Sequence, residues 1–263
     1  MHILVTNDDG VQAPGLLALA QSMRALGEVT VLAPDHNWSA SGHVKTMERP
    51  LRVKEVKLAD GSLALASDGA PSDCVALALL GVVEKKIDLV VSGINPNANI
   101  GHDVTYSGTV TAAMEAVIAG VPGVAVSLDS KPGQGELDYS PAAMVAARVV
   151  KRLLAGDISA DILTCGLLPA GVLLNINVPA IPETQIRGVM LTRQGLRVYR
   201  DALDARTDPR GRPYYWIGGE FPTGVDEEGT DFGALTAGYV SITPLQLDLT
   251  ALAVMEVFKA VKW

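Results

Sequence analysis

The hydrophobic positions of the chain follow two alternating patterns over its first 180 residues. Short apolar runs are typical of buried β-strands, and the segments between them carry apolar residues at helical spacing. The runs predict strands over 3–5, 29–32, 62–66, 87–91, 124–128 and 172–178, with a further extended segment over 44–56. Helices are predicted to begin near Pro14, Pro71, Gly108 and Ser140, the last of them ending at Gly156. This order predicts an α/β fold with three layers and a mostly parallel sheet.

The pattern changes after about residue 180. Strand-like pieces rich in arginine fill 185–219, glycines and acids crowd 224–233, a strand is predicted over 239–243, and an amphipathic helix over 250–261. We therefore divide the chain into a core of residues 1–180 and a C-terminal extension of residues 181–263. The extension is interpreted as an appended subdomain or an oligomerisation arm.

Composition and charge exclude several classes of protein. The hydrophobic fraction is 48%, yet no apolar run approaches the length of a membrane span. The first strand begins almost at the first residue, so we expect no signal peptide. Cys74 and Cys165 stand among apolar neighbours and are predicted to be small core residues, so we expect a cytosolic protein with no membrane partner. The net charge of −8 argues against a nucleic-acid polymer as partner.

Two adjacent carboxylates follow the first strand, in the run Asn7-Asp8-Asp9-Gly10. At the end of a buried strand such a pair is costly unless a cation or a proton compensates its charge. In an open α/β sheet the carboxyl ends of the strands are where ligands bind. We therefore predict a site for a hard metal ion, with helix or turn capping by the two aspartates as the alternative.

Three further segments are expected at the same edge of the sheet. The loop over 35–43 carries Ser39 and His43, and Asn95 follows the strand 87–91. Ser107-Gly108-Thr109 opens a helix, where free backbone N–H groups and the helix dipole favour an anion such as phosphate. Each segment also has a plain structural interpretation as a loop, a turn or a helix cap. For Asn97 and Asn99 the plain interpretation is a turn, since Asn is frequent in turns that need positive φ.

Oxygen ligands from Asp, Ser and Asn suit Mg²⁺, Mn²⁺ or Ca²⁺ and do not suit a zinc site of His and Cys. A small number of protein ligands leaves positions for water and for a substrate phosphate. A metal in this arrangement can polarise a phosphoryl group and lower the pKa of water. The residues therefore indicate metal-assisted hydrolysis of a phosphate ester.

Several motifs, in this order and over nearly the whole chain, resemble those of the SurE family of stationary-phase survival nucleotidases. The matching runs are Asn7-Asp8-Asp9-Gly10 with Ala13-Pro14-Gly15, Ser92-Gly93-Ile94-Asn95, Tyr106-Ser107-Gly108-Thr109-Val110, Asn175-Ile176-Asn177-Val178-Pro179, Thr192-Arg193, Gly229-Thr230-Asp231, and the segment from Gly238 to Leu245. The combination is highly specific.

The resemblance implies a Rossmann-like core whose C-terminal elements reach across to partner subunits, giving homodimers or homotetramers. It implies a metal-dependent phosphatase that acts on nucleoside 5′- and 3′-monophosphates, and on polyphosphate in some members. One divalent ion is implied, Mg²⁺ or Mn²⁺, with Ca²⁺ able to occupy the site.

Individual roles follow from the positions that match the motifs of the family. The implied metal ligands are Asp8, Asp9, Ser39 and Asn95, and the implied phosphate-binding residues are Asn95, Ser107, Gly108 and Thr109. Our mechanistic hypothesis assigns catalysis to Asp8, Asp9 and Asn95, with one aspartate orienting the attacking water. The proton of the leaving alkoxide is assigned to His43, His102 or water, and the sequence does not choose among them.

The chain departs from the family pattern at two places. Pro96-Asn97 stands where members commonly carry glycine, and we expect Asn97 to adopt the left-handed conformation that the turn needs. Ala70 stands in a run that resembles a family Gly-Thr-Pro stretch and lacks the threonine hydroxyl. If that hydroxyl contacts substrate in relatives, the preference of this chain for base or sugar differs.

Other protein classes were weighed against this interpretation. A signalling receiver domain needs an acceptor aspartate at the end of its central strand, where this chain has Ser92-Gly93. A dinucleotide-binding oxidoreductase needs a Gly-x-Gly-x-x-Gly turn after the first strand, where this chain has Asn-Asp-Asp-Gly. A non-catalytic sensor that binds metal and nucleotide without releasing phosphate stays open as the alternative.

Overall fold

A computed structural model describes residues 1–131, 133–155 and 168–261. Its strands are β1 (His2–Thr6), β2 (Glu28–Pro34), β3 (Val53–Lys57), β4 (Leu63–Ser67), β5 (Leu89–Asn95), β6 (Gly123–Asp129), β7 (Val172–Pro179), β8 (Val189–Leu191), β9 (Arg197–Val198), β10 (Asp201–Thr207), β11 (Pro213–Gly219), β12 (Thr223–Gly224) and β13 (Val240–Gln246). Its α-helices are α1 (Pro14–Arg24), α2 (Pro71–Leu77), α3 (Gly108–Ile118), α4 (Ser140–Leu154), α5 (Asp231–Thr236) and α6 (Leu252–Phe258).

A nine-stranded sheet forms the centre of the fold, in the order β3-β4-β2-β1-β5-β6-β7-β13-β8. The strands from β4 to β7 in this order are all parallel, whereas β3 and β13 are antiparallel to their neighbours β4 and β7. The predicted α/β fold with a mostly parallel sheet is confirmed.

Helices cover both faces of the sheet, and the two-residue alternation of β1 shows why. Ile3 and Val5 pack into the core that includes buried side chains of α1 and α4, such as Leu19 and Ala146. Leu4, between them, packs on the opposite face with buried side chains of α2 and α3. Because successive side chains of a strand point to opposite faces, β1 is apolar throughout and is buried on both sides.

The order of the strands places a crevice at one point of the sheet. The chain passes from β1 outward through β2 to β4, then returns to the other side of β1 and continues outward from β5 to β7. This is the Rossmann order, and ligands bind outside the carboxyl ends of the two strands where the direction reverses. Residues that follow β1 and β5 therefore line the predicted site.

The C-terminal extension has an inner and an outer part. The inner part returns to the sheet, because β13 pairs with β7 and carries β8 on its other side. The outer part consists of the hairpin β10–β11, whose two strands are exposed at every residue, and of α6, which buries none of its residues. A role of the outer part in oligomerisation stays a prediction.

Some element bounds differ from those expected. Residues 44–52 form no strand, because this segment is held by Asp73, whose carboxylate accepts hydrogen bonds from the N–H and the hydroxyl of Thr46. β5 continues to Asn95, since its pairing with β6 resumes there after a register shift. The last helix is shorter than predicted. Gly156 and Cys165 lie outside the described residues, whereas Cys74 is buried as expected.

None of the helices in the described residues combines the length and the apolar character that crossing a membrane requires.

Candidate active site

Asp8 and Asp9 lie at the carboxyl end of β1, and the fold leaves their charges without a cationic partner among the described residues. Asp8 is 4% exposed, and its carboxylate accepts a hydrogen bond from the Thr109 hydroxyl at 2.5 Å. Burial raises the pKa of Asp8 despite this hydrogen bond. Burial, together with the neighbouring Asp8 charge, raises the pKa of Asp9 to about 7. The pair therefore holds the uncompensated negative charge that the sequence predicts.

The start of α3 points at Asp8. Hydrogen bonds from the backbone of Gly108 and Thr109 lower the pKa of Asp8 and partly offset the effect of burial. A Cβ atom at Gly108 would stand 2.7 Å from the Asp8 Cβ, so only glycine allows this approach. Ser107 caps the helix, because its hydroxyl accepts a hydrogen bond from the N–H of Val110 at 3.1 Å.

These contacts limit which groups at the start of α3 are free to bind an anion. The Thr109 hydroxyl is engaged by Asp8 and the Ser107 hydroxyl by the helix itself. Ser107 therefore caps α3, as the alternative interpretation predicts. The anion at the start of this helix in the structure is the carboxylate of Asp8. Binding of phosphate by Ser107, Gly108 and Thr109 stays a prediction.

The loop after β2 folds against the aspartate pair. The N–H of Trp38 donates to the backbone oxygen of Asp8 at 2.7 Å, and the Asn37 amide nitrogen lies 3.5 Å from an Asp9 carboxylate oxygen. Asn37 also accepts a hydrogen bond from the N–H of Ser39 at 2.7 Å. Ser39 is exposed. The loop therefore brings Ser39 to the same edge as Asp8 and Asp9, as predicted from its position after a strand.

Asn95 ends β5, the neighbour of β1 in the sheet. Its amide nitrogen donates to the backbone oxygen of Asn97 at 2.5 Å, which leaves the amide oxygen as the atom able to bind a cation. Neither Asn97 nor Asn99 takes positive φ, since Ala40 is the one non-glycine residue with positive φ in the described ranges. The side chain of Asn95 and hydrogen bonds from Ser130 to Pro96 hold the turn instead.

A buried network behind this turn was missed by the sequence analysis. The backbone oxygen of Asn99 accepts hydrogen bonds from the side chains of Asn175 and Asn177 at 2.8 and 3.1 Å. The N–H of Asn99 donates to the Asn177 side chain at 2.8 Å. The sequence did contain a signal for this network. Asn175 and Asn177 stand two residues apart on an apolar strand, a spacing that places both side chains on one face of the sheet. Asn99 is therefore an anchor of the loop after β5.

The extension holds the segment that leads into α3. Arg197 Nε donates to the carboxylate of Asp103 at 2.6 Å, and the hydroxyl of Tyr199 donates to the same carboxylate at 2.5 Å. The Arg197 side chain is 8% exposed, which makes this ion pair largely buried. Asp103 belongs to the short 3-10 helix Gly101–Thr105, just before Ser107. Nothing local in the sequence predicted this contact between the core and the extension.

The candidate proton donors lie in different surroundings. The Nε2 atom of His43 lies 2.9 Å from Oε2 of Glu115, and Lys45 donates to the other carboxylate oxygen, Oε1, at 3.1 Å. His102 is exposed on the 3-10 helix. Tyr139, which the sequence analysis did not consider, lies near the aspartates, since burial and the charge of Asp9 raise the pKa of its hydroxyl. The choice of proton donor stays open.

The donor set fits a hard divalent cation. In the part of the chain that the structure describes, no three His, Cys, Asp or Glu side chains cluster as a metal site. A cation here would have two carboxylates and would complete its shell with neutral oxygens such as those of Ser39 and Asn95. The side-chain oxygens of Thr6, Asn7 and Ser92 are buried and have no hydrogen-bond partner among the described residues. Thr6 ends β1, Asn7 follows it, and Ser92 pairs with Thr6 from the neighbouring strand β5. This edge is thus rich in oxygen atoms and lacks the ligands of a zinc site.

Comparisons with known proteins agree with this geometry. The family model described as "Survival protein SurE" matches residues 3–201. The 5′-nucleotidase SurE of Chloroflexus aggregans is 50% identical over 263 residues and covers 100% of both chains. The 5′-nucleotidase SurE of Herpetosiphon aurantiacus is 52% identical, over 100% of this chain and 99% of its own length. The crystal structure of the SurE protein from Aquifex aeolicus superimposes with a TM-score of 0.79, at 39% identity and 98% coverage of both chains. With these similarities, the chain belongs to the SurE family.

Proposed function

We propose that this chain is a phosphatase that depends on a divalent metal and hydrolyses nucleoside 5′-monophosphates to nucleoside and phosphate. Nucleoside 3′-monophosphates and polyphosphate are proposed as further substrates. The observation that carries the proposal is the uncompensated pair of the buried Asp8 and the half-buried Asp9, at the reversal point of a Rossmann-ordered sheet. The names of the two relatives, both 5′-nucleotidases, support the choice of substrate.

Four side chains would bind the metal ion, and one of them would also orient the attacking water. Asp8, Asp9, Ser39 and Asn95 would hold the ion, for which Mg²⁺ or Mn²⁺ is proposed and Ca²⁺ is an alternative occupant. The chemistry that a bound divalent cation supplies is polarisation of the phosphoryl group and a lower pKa for the attacking water. Asp9, the more exposed of the two aspartates, orients that water.

Asp8 and the start of α3 act together in this proposal. The hydrogen bond from Thr109 fixes the Asp8 carboxylate, and Gly108 lets the helix start approach it. Asn95 and the segment Ser107–Thr109 face the non-bridging oxygens of the phosphate. Donors fixed in advance stabilise the charge that develops in the transition state without reorganising.

We further propose that the protein works in the cytoplasm as a homodimer or homotetramer. The hairpin β10–β11 and α6 support this assembly, because they expose large apolar side chains, among them Leu203, Trp216, Ile217, Leu252 and Val257. Large exposed apolar side chains, when they are concentrated in one part of a fold, support association with other chains.

Phosphate release tests the catalytic proposal. The full-length protein is treated with EDTA, and phosphate is measured with a panel of nucleoside monophosphates and polyphosphate before and after Mg²⁺ or Mn²⁺ is added. We expect release to stop with EDTA and to return with the metal. Release that ignores EDTA contradicts the metal requirement, and nucleotide binding without release under every condition would show a sensor.

A further inference from the structure

A cavity of about 620 Å³ opens beside the candidate active site. One wall comes from the carboxyl ends of β6 and β7, and the opposite wall comes from the extension. The side chains that matter here are Ile100, Asp129, Lys131, Arg197, Phe221 and Phe232. Pockets of a few hundred cubic ångströms, mostly apolar with a few polar groups, are the usual size and character of small-molecule sites.

The cavity and the candidate active site share one edge of the sheet. Asn95 pairs with Ser127 of the adjacent strand β6, and Asp129 follows two residues later, about 7 Å further along that strand. Ser130, next in sequence, donates through its hydroxyl to the backbone oxygen of Pro96 at 2.6 Å. Ile100 lines the cavity from the same loop that begins at Asn95. A molecule whose phosphate lies at Asn95 therefore reaches the cavity with its remaining part.

Asp129 is the polar group that the mechanism leaves unused. Burial raises its pKa, while Lys131 and Arg197 act in the opposite direction. None of the hydrogen bonds among the described residues ends on its carboxylate, although both of its oxygens can accept. The Arg197 guanidinium group donates to Asp103 and to the backbone oxygen of Pro222, and no hydrogen bond among the described residues joins it to Asp129. A ligand with adjacent hydroxyl groups would satisfy this carboxylate.

The rest of the lining is suited to a flat apolar group. Phe221 is 45% exposed at the cavity, and Phe232 and Leu235 belong to the small apolar cluster formed with Ile100. Aromatic side chains stack on nucleobases with little regard to their identity, because every base has a π face. A carboxylate for hydroxyls and an aromatic wall for a base are the two requirements of a nucleoside.

We propose that this cavity is the nucleoside subsite, in which the ribose hydroxyls donate to Asp129 and the base packs against Phe221 and Phe232. The proposal rests on the proposed function, because it assumes that the phosphate of the same molecule lies at Asn95. This proposal also assigns a second function to the C-terminal extension. Phe221 and Phe232 belong to residues 181–263, so the extension contributes to substrate recognition in addition to any role in assembly.

Steady-state kinetics test the subsite through a ratio. The value of kcat/KM for adenosine 5′-monophosphate is divided by that for p-nitrophenyl phosphate, which has neither ribose nor base. Asp129→Asn removes the charge of the carboxylate at nearly constant size, and we expect it to lower the ratio about tenfold. The corresponding ratio for 2′,3′-dideoxyadenosine 5′-monophosphate, which lacks the ribose hydroxyls, should fall less than twofold with the same substitution. Asp226→Asn, an exposed aspartate outside the cavity lining, is the control.

A direct binding measurement keeps this inference separate from catalysis. Adenosine is titrated calorimetrically into the full-length protein in EDTA, where no phosphate chemistry contributes. We expect adenosine to bind and Asp129→Asn to weaken its affinity about tenfold. Phe221→Ala serves as a second variant if Asp129→Asn does not fold, with the same expected loss.

The outcomes separate the two proposals. If no nucleotide is hydrolysed but adenosine binds and Asp129→Asn weakens it, the proposed function fails and the subsite stands. If adenosine does not bind, or if it binds equally well to the wild type and to both variants, the subsite is overturned. A ratio in Asp129→Asn within twofold of the wild type overturns it as well.

Discussion

The carboxyl edge of the sheet and the outer part of the extension are opposite kinds of surface. At the edge, charged and polar groups such as Asp8 and Thr109 are buried and held by hydrogen bonds from distant segments. On the hairpin and α6, Trp216 is 63% exposed, Ile217 85% and Val257 67%. Buried charge without a counterion indicates a missing ligand, and exposed apolar surface indicates a missing partner. The two regions therefore call for different experiments.

The largest expected effect comes from the aspartate pair. Asp9→Asn removes one carboxylate and should lower phosphate release at least about a thousandfold, because the cation loses a charged ligand and the water loses its orienting group. The same substitution should raise the free energy of unfolding of the metal-free protein at pH 8 by about 1–3 kcal/mol, since it relieves a buried like-charge pair. Activity assays and thermal unfolding in EDTA measure the two effects.

Asp226→Asn is the matched control for that experiment, because it removes an exposed carboxylate of the extension. This substitution should leave phosphate release and the free energy of unfolding equal to those of the wild type within experimental error. Near-normal activity in Asp9→Asn, or a lower thermal midpoint than the wild type, would show that the pair is a structural feature of the turn.

The approach of α3 to Asp8 is the next most sensitive point. Gly108→Ala places a Cβ 2.7 Å from the Asp8 Cβ and should push the carboxylate out of position. A displacement of about 1 Å at a catalytic group costs roughly a hundredfold in rate, and we expect a loss of that order in kcat. Gly218→Ala, whose Cβ would meet its nearest neighbour at 3.9 Å, is the control. A loss smaller than threefold contradicts this role of Gly108.

The outer part of the extension is tested through the mass of the assembly and not through the rate of phosphate release. Trp216→Asp with Ile217→Asp places charge on the hairpin and should convert the assembly to a smaller species in size-exclusion chromatography with light scattering. Phosphate release per chain should stay within about threefold, because neither residue lines the cavity or the edge. Leu63→Asp, which changes an exposed leucine on β4, should leave the assembly intact. An unchanged mass in the hairpin variant counts against the hairpin as the interface.

The smallest expected effect is a dependence of stability on pH. The folded protein holds the pKa of Asp9 at about 7, whereas the unfolded chain has the ordinary value of 3.8. Between these values the folded state binds more protons, so this group makes the protein less stable as the pH rises through the window. In EDTA the thermal midpoint of the wild type should fall, relative to that of Asp9→Asn, by several degrees between about pH 4 and pH 8. Parallel curves for the two proteins would contradict the raised pKa.

The sequence predicts the edge of the site because its signals are local. Asp8, Asp9 and Asn95 each follow an apolar run, and the carboxyl ends of parallel strands meet at one edge. The rest depends on contacts that no local pattern encodes. Arg197 reaches Asp103 across 94 positions of the chain, and the cavity forms only when the extension closes over β6 and β7.

Local propensity also failed within the predicted site. Asn97 was expected to take the left-handed conformation, yet its turn is held by the side chain of Asn95 and needs no such residue. The hydroxyl of Thr109, in the segment predicted to bind phosphate, donates to Asp8, a contact that no local pattern indicated. A sequence shows which polar groups reach the site, and only the packing shows which of them bind each other.

The central claim is that Asp8 and Asp9 form a site for one divalent metal ion. Calorimetric titration of Mn²⁺ into the EDTA-treated and dialysed full-length protein tests it directly, with the variant that carries both Asp8→Asn and Asp9→Asn beside Asp226→Asn. We predict about one ion per chain in the wild type and in Asp226→Asn, and no measurable binding in the double variant. Equal binding of Mn²⁺ to all three proteins would contradict the account.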